Sequence, residues 1–204
     1  MDRGLVTESG QSSVARTTGR PGTALNLNPD GAFFLGAEIA AEQIHSVLIN
    51  LAGSIIHRET AELKSRKPES VSEELVRMVK GIWSVQLKNS DRLRGLGVTV
   101  SALVSSQGVI RMAPTFGWNQ FDMKSALKSR LDLPVFVEND ANGAALAELS
   151  FGRRVGQRDL CLLFLDVGVG AGMIFDRKIF RGSDGLAGEI GHLTLDPTEN
   201  VQPE

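Results

Sequence analysis

The stretch VFVENDANGAALAE, Val135–Glu148, contains the junction on which the interpretation of the whole chain depends. Its apolar beginning predicts a buried strand, and the alanine-rich run behind it predicts a helix. The acid Asp140 falls where the two meet. A carboxylate in that place either caps the helix or takes a proton from a ligand bound above the sheet. The choice between these roles requires the rest of the sequence.

The composition narrows the class of protein. The chain has 204 residues, is 42% hydrophobic and 23% charged, and carries a net charge of −2, which is typical of a soluble α/β protein. Without a general excess of positive charge, any contact with DNA is expected to be local. The single cysteine, Cys161, lies in the apolar run LCLLFL, so we expect it to be buried and free. There is neither a signal peptide nor an apolar run of membrane-spanning length, and we expect a cytoplasmic protein.

The chain divides into an irregular beginning and two regions of regular structure. Residues 1–30, rich in Gly, Ser, Thr and Arg, predict a β-hairpin with a long polar tip followed by a linker. Residues 31–152 form the first predicted lobe, and residues 153–204 form the start of a second, incomplete lobe. The predicted strands of the first lobe are 32–38, 44–51, 54–60, 96–100 and 133–137.

Three helices are expected in the first lobe. Ser70 and Glu73 have the spacing of a capping box, which predicts the start of a long amphipathic helix. Asp122 is expected to cap a short helix that continues to residue 131, and a third helix is expected over residues 141–149. The apolar stripe of the long helix is predicted to contain Leu75, Val76, Val79, Ile82, Trp83, Gln86 and Leu87.

The second lobe repeats a pattern from the first. LFLDVGVGAGMIFDRKIF at 163–180 echoes FFLGAEIAAEQIHSVLIN at 33–50, with a strand, a turn of small residues and a second strand in each. Strands are predicted at 159–166, 171–175 and 178–180. Such a repeated meander in an α/β chain indicates two related lobes that face a cleft.

A glycine-rich segment, Asp166–Gly172, follows the first strand of the second meander. A dinucleotide-binding turn would need a helix to start inside the glycines. Strands are predicted there instead, so that interpretation fails. Two uses stay open for Gly168, Gly170 and Gly172: a tight turn that needs positive φ, and a cradle of backbone N–H groups that binds the phosphate of a ligand.

The segment GLAGEIGH, Gly185–His192, places Glu189 and His192 between glycines, which makes a continuous helix improbable on sequence grounds. A carboxylate and an imidazole held close together suit the hydroxyl groups of a sugar. A Glu–His pair that only closes a turn is the structural alternative. His192 could also supply one ligand to a metal ion, but no Cys or His follows it in this chain, so no complete zinc site is predicted.

Taken together, VENDANGAALAE, GVGAGMIFDRKIFRGSDGLAGEIGH and the leading meander resemble the ROK family of repressors, open reading frames and kinases, over roughly residues 30–196. The resemblance implies an α/β, ribonuclease-H-like (actin/hexokinase) fold of two lobes, truncated here, with a monosaccharide in the cleft. It implies that Asp140 is the catalytic base of the kinases, or its vestige. It also implies that Asn139, Asp140, Glu189 and His192 bind sugar hydroxyl groups.

The chain departs from the kinases of the family at the first turn. Where they resemble one another in Asp-x-Gly-Gly-Thr, this sequence has Glu38-Ile39-Ala40-Ala41-Glu42. Each alanine adds a Cβ atom where a phosphate should approach the backbone closely. A carboxylate ~5 Å from a phosphate oxygen is repelled by ~3 kcal/mol at an effective dielectric constant of ~20. We therefore expect a sugar-responsive regulator that is not an efficient ATP-dependent sugar kinase; an inactive fragment is a third hypothesis.

The beginning of the chain resembles part of a repressor. Residues 1–30 are similar to the wing of a winged helix-turn-helix and its linker, and Arg20-Pro21 is similar to an arm that places arginine in the minor groove of DNA. A flexible linker is the alternative. The recognition helix expected before the wing is absent, as are the zinc loop and the final helices of full-length members. DNA binding is therefore expected only with the missing helix-turn-helix, zinc only in a full-length relative, and self-association as in other members.

Overall fold

The structure is a computed structural model, and it describes residues 4–11, 23–88, 90–166 and 168–193. Thirteen strands and three α-helices are assigned within these residues. In chain order they are β1 (Val6–Gln11), β2 (Thr23–Leu27), β3 (Phe33–Ile39), β4 (Gln43–Asn50), β5 (Ile55–Glu62), α1 (Pro68–Leu87), β6 (Leu93–Val100), β7 (Leu103–Val104), β8 (Ile110–Ala113), β9 (Trp118–Phe121), α2 (Met123–Lys128), β10 (Val135–Asn139), α3 (Asp140–Phe151), β11 (Leu160–Leu165), β12 (Val169–Phe175) and β13 (Lys178–Ile179).

A five-stranded sheet forms the centre of the first lobe, in the order β10-β6-β3-β4-β5. β3, β4 and β5 make an antiparallel meander, and β6 and β10 extend it as parallel strands on the other side of β3. Residues of β3 alternate between buried and half-buried positions. All five strands predicted for this region are present, with boundaries displaced by at most three residues.

The main core lies between α1, α2 and one face of the sheet. Its largest fully buried side chains there include Ile39, Ile44, Leu48, Leu75, Met78, Ile82, Leu96 and Leu127. On the opposite face, α3 crosses β6 so closely that a methyl group on Gly143 would lie 2.4 Å from the Thr99 side chain. The sheet is therefore covered by helices on both faces along part of its width.

The predicted start of α1 is wrong. The helix begins at Pro68 and not at Ser70, and Lys67 stands at the N-cap without a side-chain bond. Proline has a fixed φ suited to the first helical turn and lacks only an N–H that would have no partner there. Proline thus starts the helix two residues before the capping-box pattern. The predicted stripe is otherwise buried or half-buried, but Gln86 is exposed and lies within hydrogen-bonding distance of His57, at 3.3 Å.

α2 confirms one cap and corrects one boundary. Asp122 accepts a hydrogen bond from the Ser125 N–H at 2.9 Å, as an N-cap residue does. The helix ends at Lys128, however, and does not continue to Leu131. Leu131 is nevertheless fully buried in the main core, so its apolar character reflects packing rather than helix length.

The hairpin predicted at the N-terminus is present, with β1 and β2 paired antiparallel. Residues 12–22, including Arg20 and the predicted polar tip, lie outside the described residues. Residues that follow the hairpin form a hydrogen-bonded 3-10 turn, Pro29–Gly31. Asn28 anchors it, because its backbone N–H donates to Leu5 O at 2.9 Å and its side chain donates to Gly4 O at 2.7 Å.

The second meander consists of β11, β12 and β13, all antiparallel. It packs on α3 through a small core of Ala145, Leu149 and Ile174. The expectation that Cys161 is buried is wrong, because its side chain is exposed. Alternation along β11 turns Leu160 and Leu162 toward α3 and turns Cys161 outward. No helix in the described part of the chain is both long and apolar enough to span a bilayer.

Candidate functional site

The candidate site lies at the carboxyl ends of the parallel strands. The register aligns Ile39 of β3, Val100 of β6 and Asn139 of β10 in one row. The residues that follow them, including Ser101 and Asp140, therefore meet at one edge of the sheet. In open α/β sheets this is the edge at which ligands bind.

Asn139 is the residue that starts α3. Its side-chain oxygen accepts a hydrogen bond from the Asn142 N–H at 3.1 Å, and its side-chain nitrogen donates to Ala102 O at 3.2 Å. The expected capping role therefore belongs mainly to Asn139 rather than to Asp140. Because both ends of the Asn139 amide are engaged, a sugar would share this side chain with the helix cap. Its predicted role in sugar binding remains a prediction.

Asp140 occupies the first helical position and lies next to Ser101. Its carboxylate accepts a hydrogen bond from the Ala141 N–H at 2.8 Å. Burial raises the pKa of the Asp140 carboxyl above its ordinary value; hydrogen bonds from Ala141 and Ser101 partly offset this, and the negative charge of Asp166 adds to the rise. Asp166 follows β11, so a negative charge at the end of a strand of the second meander acts on Asp140. A desolvated carboxylate of this kind is a strong acceptor for a ligand hydroxyl group.

A second acid beside Asp140 was not predicted to be functional. Glu138 accepts hydrogen bonds from the Asn139 N–H at 3.0 Å and from the Asn142 side chain at 3.1 Å, and it forms an ion pair with Arg181. Arg181 follows β13 in the second meander, 43 residues away along the chain. The only sequence feature that could have indicated Glu138 is its place directly before Asn139 and Asp140. No sequence feature near Arg181 indicates that it pairs with Glu138.

The glycine-rich segment has a different geometry from the one predicted. Gly170 and Gly172 lie within β12, and neither has positive φ, so the tight-turn interpretation is wrong for both. A methyl group on Gly172 would lie 2.3 Å from Ala141 O and 2.5 Å from the Ala145 side chain. Close packing of α3 on β12 therefore requires this glycine. Phosphate binding by Gly168, Gly170 and Gly172 remains a prediction.

The GLAGEIGH segment lies along β12. The Ala171 N–H donates to Gly188 O at 2.8 Å, and Ile190–His192 form a single 3-10 turn, as the flanking glycines predict. His192 Nε2 and Glu189 Oε2 are 3.9 Å apart, too far for a hydrogen bond. The His192 side chain is 85% exposed and that of Glu189 is 35% exposed, so both can reach a ligand at the surface.

Further contacts join this segment to the first lobe. Arg111 of β8 forms an ion pair at 3.0 Å with Asp184, the residue directly before the segment. Within the segment, a methyl group on Gly185 would lie 2.8 Å from Val104 O of β7. The segment thus touches both the first lobe and the second meander. Within residues 4–11, 23–88, 90–166 and 168–193, no three His, Cys, Asp or Glu side chains are grouped so that they could hold a metal ion.

In the turn between β3 and β4, the repulsion between Glu42 and a phosphate is weaker than expected. The Ala40 N–H donates to Gln43 O at 2.9 Å, which closes the turn, and Glu42 is exposed. Water screens an exposed carboxylate, so its repulsion of a phosphate 5 Å away falls to about 1 kcal/mol. The predicted repulsion of ~3 kcal/mol was therefore too large. The added Cβ atoms of Ala40 and Ala41 are unaffected by this correction.

Comparison with known proteins identifies the family. The model of the ROK family matches residues 34–202. The chain belongs to the ROK family. The xylose repressor of Caldicellulosiruptor bescii is 31% identical over 203 residues, a match that covers 97% of this chain and 50% of that repressor. The glucokinase of Halalkalibacterium halodurans is 30% identical over 169 residues and is matched over 81% of this chain and 51% of that enzyme.

Solved structures of ROK proteins share the fold. A ROK family transcriptional regulator, a homologue of the E. coli MLC protein, gives a TM-score of 0.81 at 26% identity, over 97% of this chain and 50% of the regulator. A ROK family glucokinase from Streptomyces griseus, in complex with glucose and AMPPNP, gives 0.67 at 28% identity, over 81% and 52%. These likenesses confirm the ribonuclease-H-like (actin/hexokinase) fold class. The chain spans about half the length of the relatives it matches.

Proposed function

We propose that the chain is the effector-binding part of a sugar-responsive transcriptional regulator of the ROK family. A monosaccharide binds between the Asp140 edge of the first lobe and the GLAGEIGH segment. DNA is contacted through a helix-turn-helix to which the N-terminal hairpin belongs, with Arg20 as a minor-groove contact. The boundaries of this arrangement are residues 1–30 for wing and linker, 31–152 for the first lobe and 153–204 for the start of the second.

The observation that carries this proposal is the extent of the matches. A match over 97% of the chain includes most of the N-terminal hairpin, and both the C. bescii xylose repressor and the solved ROK regulator reach that share. The glucokinase matches cover 80–81% of the chain, which corresponds in length to the chain without its hairpin and linker. The family model likewise begins at residue 34. These shares support the proposal that the hairpin is a feature in common with regulators.

The chemistry of the site suits a polyol. Carboxylates of Asp140 and Glu189 accept hydrogen bonds from hydroxyl groups, and charge-assisted bonds of this kind are about twice as strong as neutral ones. Asn139 and His192 offer further polar groups on the same two segments. Relatives described as xylose repressors make xylose the first sugar to test.

A sugar kinase is the alternative, favoured by the glucokinase relatives and by the acid at position 140. In that reaction Asp140 would accept the proton of the attacking sugar hydroxyl group. The turn at Ala40 and Ala41 favours the regulator, because each side chain occupies space next to the backbone where a phosphate would approach. Phosphorylation of a sugar by the chain with Mg-ATP would overturn the proposal in favour of the kinase.

Titration calorimetry tests sugar binding. The full chain is titrated with xylose and other pentoses, with hexoses, and with N-acetylated sugars. We expect heat from at least one sugar, with loss of that heat in Asp140→Ala and in Glu189→Ala. Asp132→Ala, which removes an exposed acid before β10, is the matched control and should bind as the unaltered chain does. Equal binding by all three variants would refute the assignment of the site.

A further inference from the structure

Glu138 stands at the centre of a polar cluster that spans the two lobes. One carboxylate oxygen accepts hydrogen bonds from the Asn139 N–H and the Asn142 side chain, at 3.0 Å and 3.1 Å. The other accepts from the Arg181 guanidinium group. Asn139 and Asn142 both belong to the first turn of α3 or its cap, so the carboxylate of Glu138 is fixed to the junction that carries Asp140.

Arg181 has a matching double role on the other side of the cluster. Its side chain binds Glu138, while its backbone carbonyl accepts a hydrogen bond from the Ala187 N–H at 3.0 Å. Ala187 belongs to the GLAGEIGH segment, two residues before Glu189. One residue thus connects the strand-to-helix junction of the first lobe with the segment that carries the second set of candidate ligands.

Burial separates this ion pair from the others described. The side chains of Glu138 and Arg181 are 16% and 35% exposed, whereas those of Asp176 and Arg158 in the second meander are 70% and 72% exposed. Within the described residues, Arg181 Nε is also buried without a hydrogen-bond partner. Burial of an N–H group without a hydrogen-bond partner is unfavourable. An exposed surface ion pair would leave this N–H group in contact with water, so its burial indicates that the Arg181 side chain is held in place by its surroundings.

We propose that Arg181 and Glu138 are positioning residues that hold the second meander against the Asp140 junction and keep Asp140 shielded from water. Their significance for sugar binding rests on the proposed function. Their effect on the position of the second meander does not rest on the proposed function, because this effect is measured in the chain without any sugar. Failure of this proposal and failure of the proposed function are therefore distinguishable.

The sign of a pKa change distinguishes positioning from a direct effect of charge. Asp166, at the end of β11, is the charged group that adds to the raised pKa of Asp140. Glu138 lies two residues before Asp140, at the end of β10, and Arg181 pairs with Glu138 from the second meander. Removal of the positive charge of Arg181 by itself favours protonation and raises the pKa of Asp140. Loss of positioning exposes Asp140 and moves Asp166 away, and both changes lower that pKa.

The experiment uses the full chain, with NMR titration of the Asp140 carboxyl carbon. Arg181→Met is compared with Arg181→Lys, which keeps the charge, and with Arg158→Met, which breaks an exposed pair inside the second meander. We expect the titration midpoint of Asp140 to fall in Arg181→Met, to fall less in Arg181→Lys, and to stay unchanged in Arg158→Met. A midpoint that rises or stays unchanged in Arg181→Met would overturn the proposal.

A second readout reports the separation of the lobes directly. Trp83 and Trp118 lie in the first lobe, and the exposed Cys161, the single cysteine of the chain, lies on β11. An energy-transfer acceptor on Cys161 therefore measures the distance between lobes without any added mutation. Transfer should decrease in Glu138→Gln and in Arg181→Met, and circular dichroism should show that both remain folded. Where Arg181→Met does not fold, Glu138→Gln decides the result; unchanged transfer would contradict the proposal.

Discussion

Gly188→Ala is expected to lower the free energy of unfolding strongly, because Gly188 lies in close contact with β12. Gly188 has φ of +92°, and an added methyl group would lie 1.9 Å from Ala171 O on β12. A left-handed backbone costs an alanine about 1–2 kcal/mol relative to glycine. Overpacking against backbone that cannot move aside costs about 1–3 kcal/mol more. The hydrogen bond from the Ala171 N–H to Gly188 O, worth about 1 kcal/mol, would also be strained.

Gly156→Ala provides the matched control for this substitution. Gly156 has φ of +93°, almost the same as Gly188, but an added methyl group meets no atom within 4 Å. It therefore carries the backbone cost of about 1–2 kcal/mol without the packing cost. The difference between the two variants isolates the contact of the GLAGEIGH segment with β12, and we expect it to be about 2–4 kcal/mol.

Urea unfolding followed by circular dichroism measures both variants against the unaltered chain, with the free energy of unfolding taken from linear extrapolation. The expected order of stability is the unaltered chain, then Gly156→Ala, then Gly188→Ala. Losses that agree within about 0.5 kcal/mol, the usual range for surface changes, would show that Gly188 does not pack on β12 in solution. The geometry given above for Glu189 and His192 would then be refuted.

Three further variants test the strand-to-helix junction. The pKa of Asp140 is raised in the folded state, so the contribution of this group to stability is present at acid pH, below its ordinary pKa, and is lost as the pH rises through the raised value. Asp140→Asn should remove this loss, so its free energy of unfolding should exceed that of the unaltered chain at pH 7. Equal stability at all pH values would refute the burial of this carboxyl. Asn139→Ala should lower the free energy of unfolding by about 1–2 kcal/mol through loss of the N-cap. Asn139→Asp keeps a side-chain oxygen that can cap the helix, so it should lose much less stability. Equal losses in the two variants would show that Asn139 does not cap α3.

Local patterns sufficed for much of the fold. The strands of the central sheet and the cap at Asp122 are encoded within a few residues, so the sequence predicts them. The start of α1 was wrong because two local signals competed, and Pro68 took precedence over the Ser70–Glu73 pattern. Cys161 was wrong for a different reason. An apolar run does not indicate whether both faces of its strand are covered, and in β11 only one face packs on α3.

Sequence patterns pointed to candidate site residues only where these residues are adjacent in sequence. Asn139 and Asp140 stood out because they interrupt an apolar run, and Glu189 because glycines flank it. The bond between Glu138 and Arg181 joins residues 43 apart, and no spacing rule connects a strand end with a residue in the next lobe. Glycines were ambiguous as well: Gly172 is required by helix packing and Gly188 by both packing and positive φ, and the two look alike in sequence.

The most direct test of a sugar-receiving site at this edge is a map of chemical-shift changes on addition of xylose and other monosaccharides to the isotope-labelled chain. The account predicts that one sugar shifts the signals of Asn139, Asp140, Glu189 and His192 together and saturably, while those of the hairpin residue Leu25 stay in place. Changes confined to residues away from this edge, or no saturable change with any sugar, would contradict it.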